Sequence, residues 1–358
     1  MKTVRLLVLG LFISLIFNGC KEDGKSSDRK TGPSVKFELP FNNANAQRGQ
    51  TIRIEVQATE PEAFEEVKVF TKDTVIFQGT LTDTKKLFEV NTSGWKIGTT
   101  QISLEAKKKD GKLKRDNRIV KILPNVYPVE YTAEVLKPFP HKTTSYTQGL
   151  EFDGDQLYEG TGGTGATGQS MIAKIDFNTG EILQKVELDS EHFGEGITIL
   201  GDELYQLTWQ QHKCFVYDKQ TLEKKKEFTY NGEGWGLCND GEMLIMSDGT
   251  ERLYFRDPKT FGLKKTIEVY SNKGPVKMLN ELEYIEGKIY ANVYQSNVIV
   301  IIDPETGIVT GEIDVSLVAL DYRKMGEVLN GIAYRKSTKQ LFITGKNWAN
   351  LLEIILVK

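Results

Sequence analysis

Between Val35 and about Leu123, apolar and polar residues alternate in short runs. Examples are Val35-Lys36-Phe37-Glu38-Leu39, Thr51 to Val56, Val67 to Phe70, Thr74 to Phe77, Ile102 to Ala106 and Ile119 to Ile122. A period of two puts the apolar side chains on one face of a strand. Turns every ~8–12 residues suit two packed sheets, so the pattern predicts a small immunoglobulin-like β-sandwich over residues 34–124. No reactive constellation occurs in it, and a spacer or interaction module is the expected role.

The remainder repeats. Gln148-Gly149-Leu150-Glu151-Phe152 aligns with Glu195-Gly196-Ile197-Thr198-Ile199, Trp235-Gly236-Leu237-Cys238-Asn239, Asn280-Glu281-Leu282-Glu283-Tyr284 and Asn330-Gly331-Ile332-Ala333-Tyr334. A second strand follows each copy, beginning near Leu157, Leu204, Met243, Ile289 and Leu341. Four copies then carry an Asp-x-x-Thr turn at Asp176, Asp218, Asp257 and Asp303, a hairpin signal because Asp side chains cap such turns. Copies start about 40–50 residues apart, the length of a four-stranded propeller blade. The reading is an all-β chain with a five-bladed β-propeller over residues 129–358. The fifth copy ends after Leu351 to Leu356 without a fourth strand, and Val129 to Pro138 is the segment expected to supply it and remove a free edge.

Composition narrows the function. A net charge of −3 gives no positive field to hold a polyanion, so nucleic acid is not an expected partner. The three His and three Cys lack zinc-site spacing. At the amino terminus Lys2 and Arg5 precede an apolar run, Leu6 to Phe17, which ends in Asn18-Gly19-Cys20. The run is too short to span a bilayer comfortably, since a membrane helix needs ~20 apolar residues. It resembles a bacterial lipoprotein signal: residues 1–19 as signal peptide, Cys20 as the lipidated residue and 20–33 as a flexible tether. That resemblance implies a lipid-anchored protein of the cell envelope, facing periplasm or exterior. In that space Cys214 and Cys238 are free to pair or to stay as buried thiols.

In a propeller the innermost strand of each blade lines the channel, and the end of the second strand meets its start. The first column reads Gln148, Glu195, Trp235, Asn280 and Asn330, and the second Gly162, Trp209, Asp248, Tyr294 and Lys346. These ten positions are expected at one mouth. Polar residues that only bind channel water would more often repeat one type, whereas here each blade differs. Large apolar walls with a few convergent polar groups describe a small-molecule pocket.

Tyr146-Thr147-Gln148-Gly149-Leu150, Phe193-Gly194-Glu195-Gly196-Ile197-Thr198, Leu207-Thr208-Trp209, Gly232-Glu233-Gly234-Trp235-Gly236-Leu237, Leu279-Asn280-Glu281-Leu282-Glu283 and Leu329 to Tyr334 with Thr344-Gly345-Lys346 resemble the plant-type glutaminyl cyclases, or glutamine cyclotransferases, over residues 131–358. The resemblance implies conversion of an N-terminal glutaminyl residue of a peptide or protein into pyroglutamate and ammonia, with no catalytic metal and no cofactor. It gives Glu195 the proton-shuttle role, Lys346 that of oxyanion donor or charge partner, and substrate contacts to Tyr146, Gln148, Trp209, Trp235, Asn280 and Tyr294. Tyr146 stands where the family commonly has Phe, and Tyr294 where it commonly has Trp. A monomer is expected.

Two other readings stay open on the residues alone. One is a propeller that binds without turnover. The other is a metal-dependent, lactonase-like hydrolase, for which Glu195, Asp248, Asn280 and Asn330 would have to surround one ion.

Overall fold

A computed structural model describes residues 32–165 and 168–358. The signal peptide, Cys20 and all but the last two residues of the tether fall outside the described residues. Strands dominate, and among the described residues the single α-helix is the short Ser316–Tyr322. No helix described is long and apolar enough to cross a membrane.

The N-terminal part is two sheets around one core. Val35–Leu39, Thr51–Ala58 and Lys85–Asn91 form the first. Ala44–Gln47, Leu113–Leu123, Gly98–Lys108, Phe64–Phe70 and Val75–Gly79 form the second, in that spatial order. Phe37, Ile54, Val56, Val67, Val69, Ile102, Leu104 and Ile122 fill the space between them, as the alternating pattern requires.

The repeat folds into antiparallel sheets. Three are four-stranded and follow chain order: Thr147–Asp153 to Glu181–Glu187, Gly194–Leu200 to Lys224–Thr229, and Leu237–Asn239 to Leu263–Glu268. A fourth has eight strands, because Val129–Pro140 lies between Val309–Asp314, which it joins in parallel, and Asn350–Val357, which it joins antiparallel. That segment is the missing outer strand. First strands are buried almost throughout, as in Gly194–Leu200, whereas outer strands such as Glu181–Glu187 alternate exposed and half-buried residues. At each hairpin the Asp carboxylate caps the turn: Asp218 Oδ1 accepts the Gln220 and Thr221 N–H groups, and Asp303 Oδ1 those of Glu305 and Thr306.

Apolar clusters lie between consecutive sheets. Tyr158 and Ile172 pack with Ile197 and Leu204, Leu207 and Val216 with Leu237 and Met246, and Ile245 and Phe255 with Leu282 and Ile302. Ile299 and Ile313 pack with Ile332 and Leu352. Another cluster joins Ala333, Phe342 and Leu351 to Leu150 and Phe152, so the last unit packs on the first. Carboxyls add polar ties between units. Glu281 accepts the Ile332 and Leu150 N–H groups, Glu283 that of Tyr334, and Glu151 that of Ile199. Burial raises the pKa of all three, that of Glu151 to about 7.

A buried ion pair fastens the junction. His141 Nδ1 donates to the Trp348 carbonyl at 2.7 Å and Nε2 to Glu159 Oε1 at 3.0 Å, while Glu159 also accepts from Thr147 and Ser145. Burial would lower the His141 pKa, but the Glu159 charge and the Trp348 carbonyl outweigh it and hold it above the usual range. With acceptors on both nitrogens, the ring is an imidazolium. Replacing His141 with Leu strands a buried carboxylate, at a cost of about 3–5 kcal/mol. A urea titration is expected to show that loss, with partial recovery in a His141→Leu/Glu159→Gln double variant.

Candidate functional site

Backbone geometry aims the first column inward. Thr147 pairs with Thr161 and Gly149 with Gly160, so Gln148 is an extra residue in its strand. The same extra residue occurs between Gly194 and Ile197, between Leu279 and Leu282, and between Leu329 and Ile332. Such bulges re-aim a side chain that regular pleating would send elsewhere. Four times, the second strand closes on the residue two before the motif: Gly162 N–H on Tyr146 O, Trp209 on Phe193, Tyr294 on Met278 and Lys346 on Val328.

The result is a cavity of about 180 Å³, lined by Tyr146, Gln148, Phe193, Glu195, Trp209, Trp235, Asn280, Tyr294 and Lys346. All eight residues expected to carry chemistry or substrate contacts therefore lie on one wall system. Three of the ten mouth positions do not line it. Gly162 offers no side chain, and a Cβ there would overlap the Phe193 ring. Asp248 is engaged away from the cavity by Thr250 and the Tyr254 hydroxyl, because it stands one residue early in the register: Trp235 and Gly236 share Ser247 as Glu195 and Gly196 share Leu207, so Asp248 matches Thr208 and Gly249 matches Trp209. Asn330 is wholly buried behind Gln148.

Asn330 nonetheless orders the site. Its Nδ2 donates to the Thr147 carbonyl at 2.9 Å and to Gln148 Oε1 at 3.2 Å. That fixes the Gln148 amide so that its Nε2 faces Glu195 Oε1, at 3.1 Å. Burial drives the Glu195 pKa well above the carboxylate range, opposed by Lys346 and assisted by the Glu233 charge. Lys346 is 3% exposed, and its Nζ lies 4.4 Å from the Tyr146 ring centre and 5.4 Å from that of Tyr294. Burial lowers its pKa to about 8 against the pull of Glu195 and Glu327. Asn280 Oδ1 is buried without a partner, an acceptor left for a ligand.

Two residues escaped the column reading. Phe193 meets Tyr146 edge-on at 6.2 Å and Trp209 at 5.9 Å. Glu233 accepts the indole N–H groups of both Trp209 and Trp235. Both stand two residues before a motif position, as Tyr146 does, and that offset was the available signal. Cys214 and Cys238 are free and buried.

The family model described as glutamine cyclotransferase matches residues 119–356. The chain belongs to the glutamine cyclotransferase family. The glutaminyl-peptide cyclotransferase of Arabidopsis thaliana is 41% identical over 229 residues, 62% of this chain and 71% of that protein. A crystal structure of Myxococcus xanthus glutaminyl cyclase shares 35% identity at a TM-score of 0.60, covering 64% of this chain and 98% of that one. Every residue that lines the cavity of this cyclotransferase lies inside the matched segment.

Because Glu195 supports the protonated form of Lys346, removing its charge should deepen the lysine shift. In a ¹³C-methylated sample, one lysine is expected to titrate at about pH 8, and at a lower pH in Glu195→Gln.

Proposed function

We propose that the chain is a glutaminyl-peptide cyclotransferase that closes N-terminal glutaminyl residues to pyroglutamate and releases ammonia, with Glu195 as proton shuttle. The observation that carries this reading is a buried carboxyl and a buried ammonium in one aromatic cavity beside an unpaired amide oxygen.

The substrate carries its own nucleophile, so proximity is largely built in and the walls need only select the rotamer that brings amine to amide carbon. The neutral amine attacks the side-chain carbonyl, giving a tetrahedral centre with a negative oxygen and a positive ring nitrogen. Lys346 supplies the charge that stabilises the oxygen, in a dry site where such a charge counts for most. Glu195, as the carboxylate that supports the Lys346 ammonium, takes the surplus proton from the ring nitrogen. It then gives that proton to the departing amide nitrogen as the carbon–nitrogen bond breaks. Glu195 thus ends as it began, and amine plus carboxamide become lactam plus ammonia. A carboxyl with a pKa raised by burial is suited to both transfers. Gln148 Nε2 steadies the carboxylate, and Asn280 Oδ1 is placed to accept an N–H of the substrate.

The lactonase-like reading loses support. Its four donors do not converge, since Asp248 turns to Tyr254 and Asn330 to Thr147, and the ammonium of Lys346 would repel a cation. We further propose a closed five-bladed propeller, supported by the cluster that joins the last unit to the first, and an immunoglobulin-like N-terminal module, supported by its two-sheet core. From the sequence we propose a monomer anchored to the envelope through Cys20.

Glu195→Gln is expected to lower kcat by about 10²–10⁴-fold, read as ammonia from a Gln-initiated dipeptide, with peptide binding retained and with wild-type activity unaffected by excess EDTA. Undiminished turnover in the variant would refute the shuttle. Cys20→Ser should move the full-length protein from the membrane to the soluble fraction.

A further inference from the structure

Glu233 takes no part in the proton transfers, yet it accepts three side-chain hydrogen bonds at the mouth. Its Oε2 accepts the Trp209 indole N–H at 2.9 Å and the Trp235 indole N–H at 3.0 Å, and its Oε1 accepts from Gln210 Nε2 at 3.0 Å. The two indoles come from different sheets. Trp209 follows the strand Glu203–Thr208, and Trp235 precedes Leu237–Asn239. The rings also meet aromatic neighbours at their edges, Phe193 on Trp209 at 65° and Tyr294 on Trp235 at 84°.

The backbone beneath the carboxylate is held firmly. His212 Nδ1 donates to the Gly232 carbonyl at 2.7 Å, and the Gly234 N–H donates to the Trp209 carbonyl at 3.1 Å. Gly234 has to be glycine, because a Cβ would overlap the Tyr230 hydroxyl, itself bonded to the Thr208 carbonyl. An indole N–H is a donor only and an ionised carboxylate an acceptor only, so one oxygen between two indoles leaves no mismatched group.

We propose that Glu233 is a positioning residue for this reaction: a single carboxylate oxygen fixes the separation and tilt of the two tryptophan walls, and thereby the rotamer in which the glutaminyl side chain is held. The inference rests on the cyclotransferase reading and adds to it a residue that touches neither the substrate amide nor the travelling proton.

The test pairs a spectrum with kinetics. In ¹H–¹⁵N spectra the chain's four tryptophans give indole signals. Glu233→Ala should move those of Trp209 and Trp235 and leave that of Trp348, which donates to the Glu327 carbonyl, in place. With a Gln-initiated dipeptide, Glu233→Ala should raise KM about tenfold or more, from the loss of charge-assisted bonds, and change kcat less than about threefold. Glu233→Gln keeps an oxygen acceptor and should hold KM within about threefold of wild type. Should the alanine variant not fold, Glu233→Asp withdraws the carboxylate by one methylene and is expected to raise KM in the same way. Unmoved indole signals, an unchanged KM, or a fall in kcat at constant KM would each overturn the proposal. A wild type without turnover would remove the reaction and the proposal together. The indole shifts need no turnover, so they tell that case apart from a failure of Glu233 alone.

Discussion

Placing a carboxyl and an ammonium out of water, close enough to sense each other and yet not joined in a contact pair, is the constraint on which this site depends. Neither would be stable in such surroundings alone, since burial disfavours both charges. The protein meets the requirement with backbone rather than with extra ions. An extra residue in four innermost strands turns Gln148, Glu195, Asn280 and Asn330 inward, and the closing hydrogen bond of the second strand sets Lys346 beside them. Two tyrosine rings then take the place of water around the ammonium, a substitution that a ring's negative face makes possible.

The same economy extends below the cavity. Buried carboxyls that accept N–H groups across unit boundaries join separate sheets where a purely apolar channel would leave those donors unpaired. Asn330 joins the two levels, anchoring to the backbone of the first unit while it sets the direction of the Gln148 amide. The His141–Glu159 pair does comparable work at the seam, tying Thr147 on one side to Trp348, two residues beyond Lys346, on the other.

Much of this was legible in the sequence. Alternation gave the N-terminal strands, and the repeated Gln-Gly-Leu pattern with its Asp-x-x-Thr turns gave the sheets, because both signals are local and periodic. The columns found most of the cavity for the same reason. They failed where the count along the chain slipped by one. Asp248 was misplaced because Gly249, not Asp248, matches Trp209 in register, and a glycine offers no side chain to mark the column. Phe193 and Glu233 stood within the family-like motifs with no role of their own. Their roles come from partners in other sheets, and a one-dimensional pattern carries no information about which indole will face which carboxylate.

The interposed strand Val129–Pro140 has a temporal consequence. Thr132 faces Val357, 225 positions further on. When the chain is synthesised this strand emerges early and waits for nearly the whole remaining polypeptide before its antiparallel neighbour exists. Contacts so distant along the chain are slow to form, and until they do two β-edges stand open to strangers. The strand that joins Val309–Asp314 to Asn350–Val357 in the finished molecule also leaves its nascent form in need of protection from aggregation.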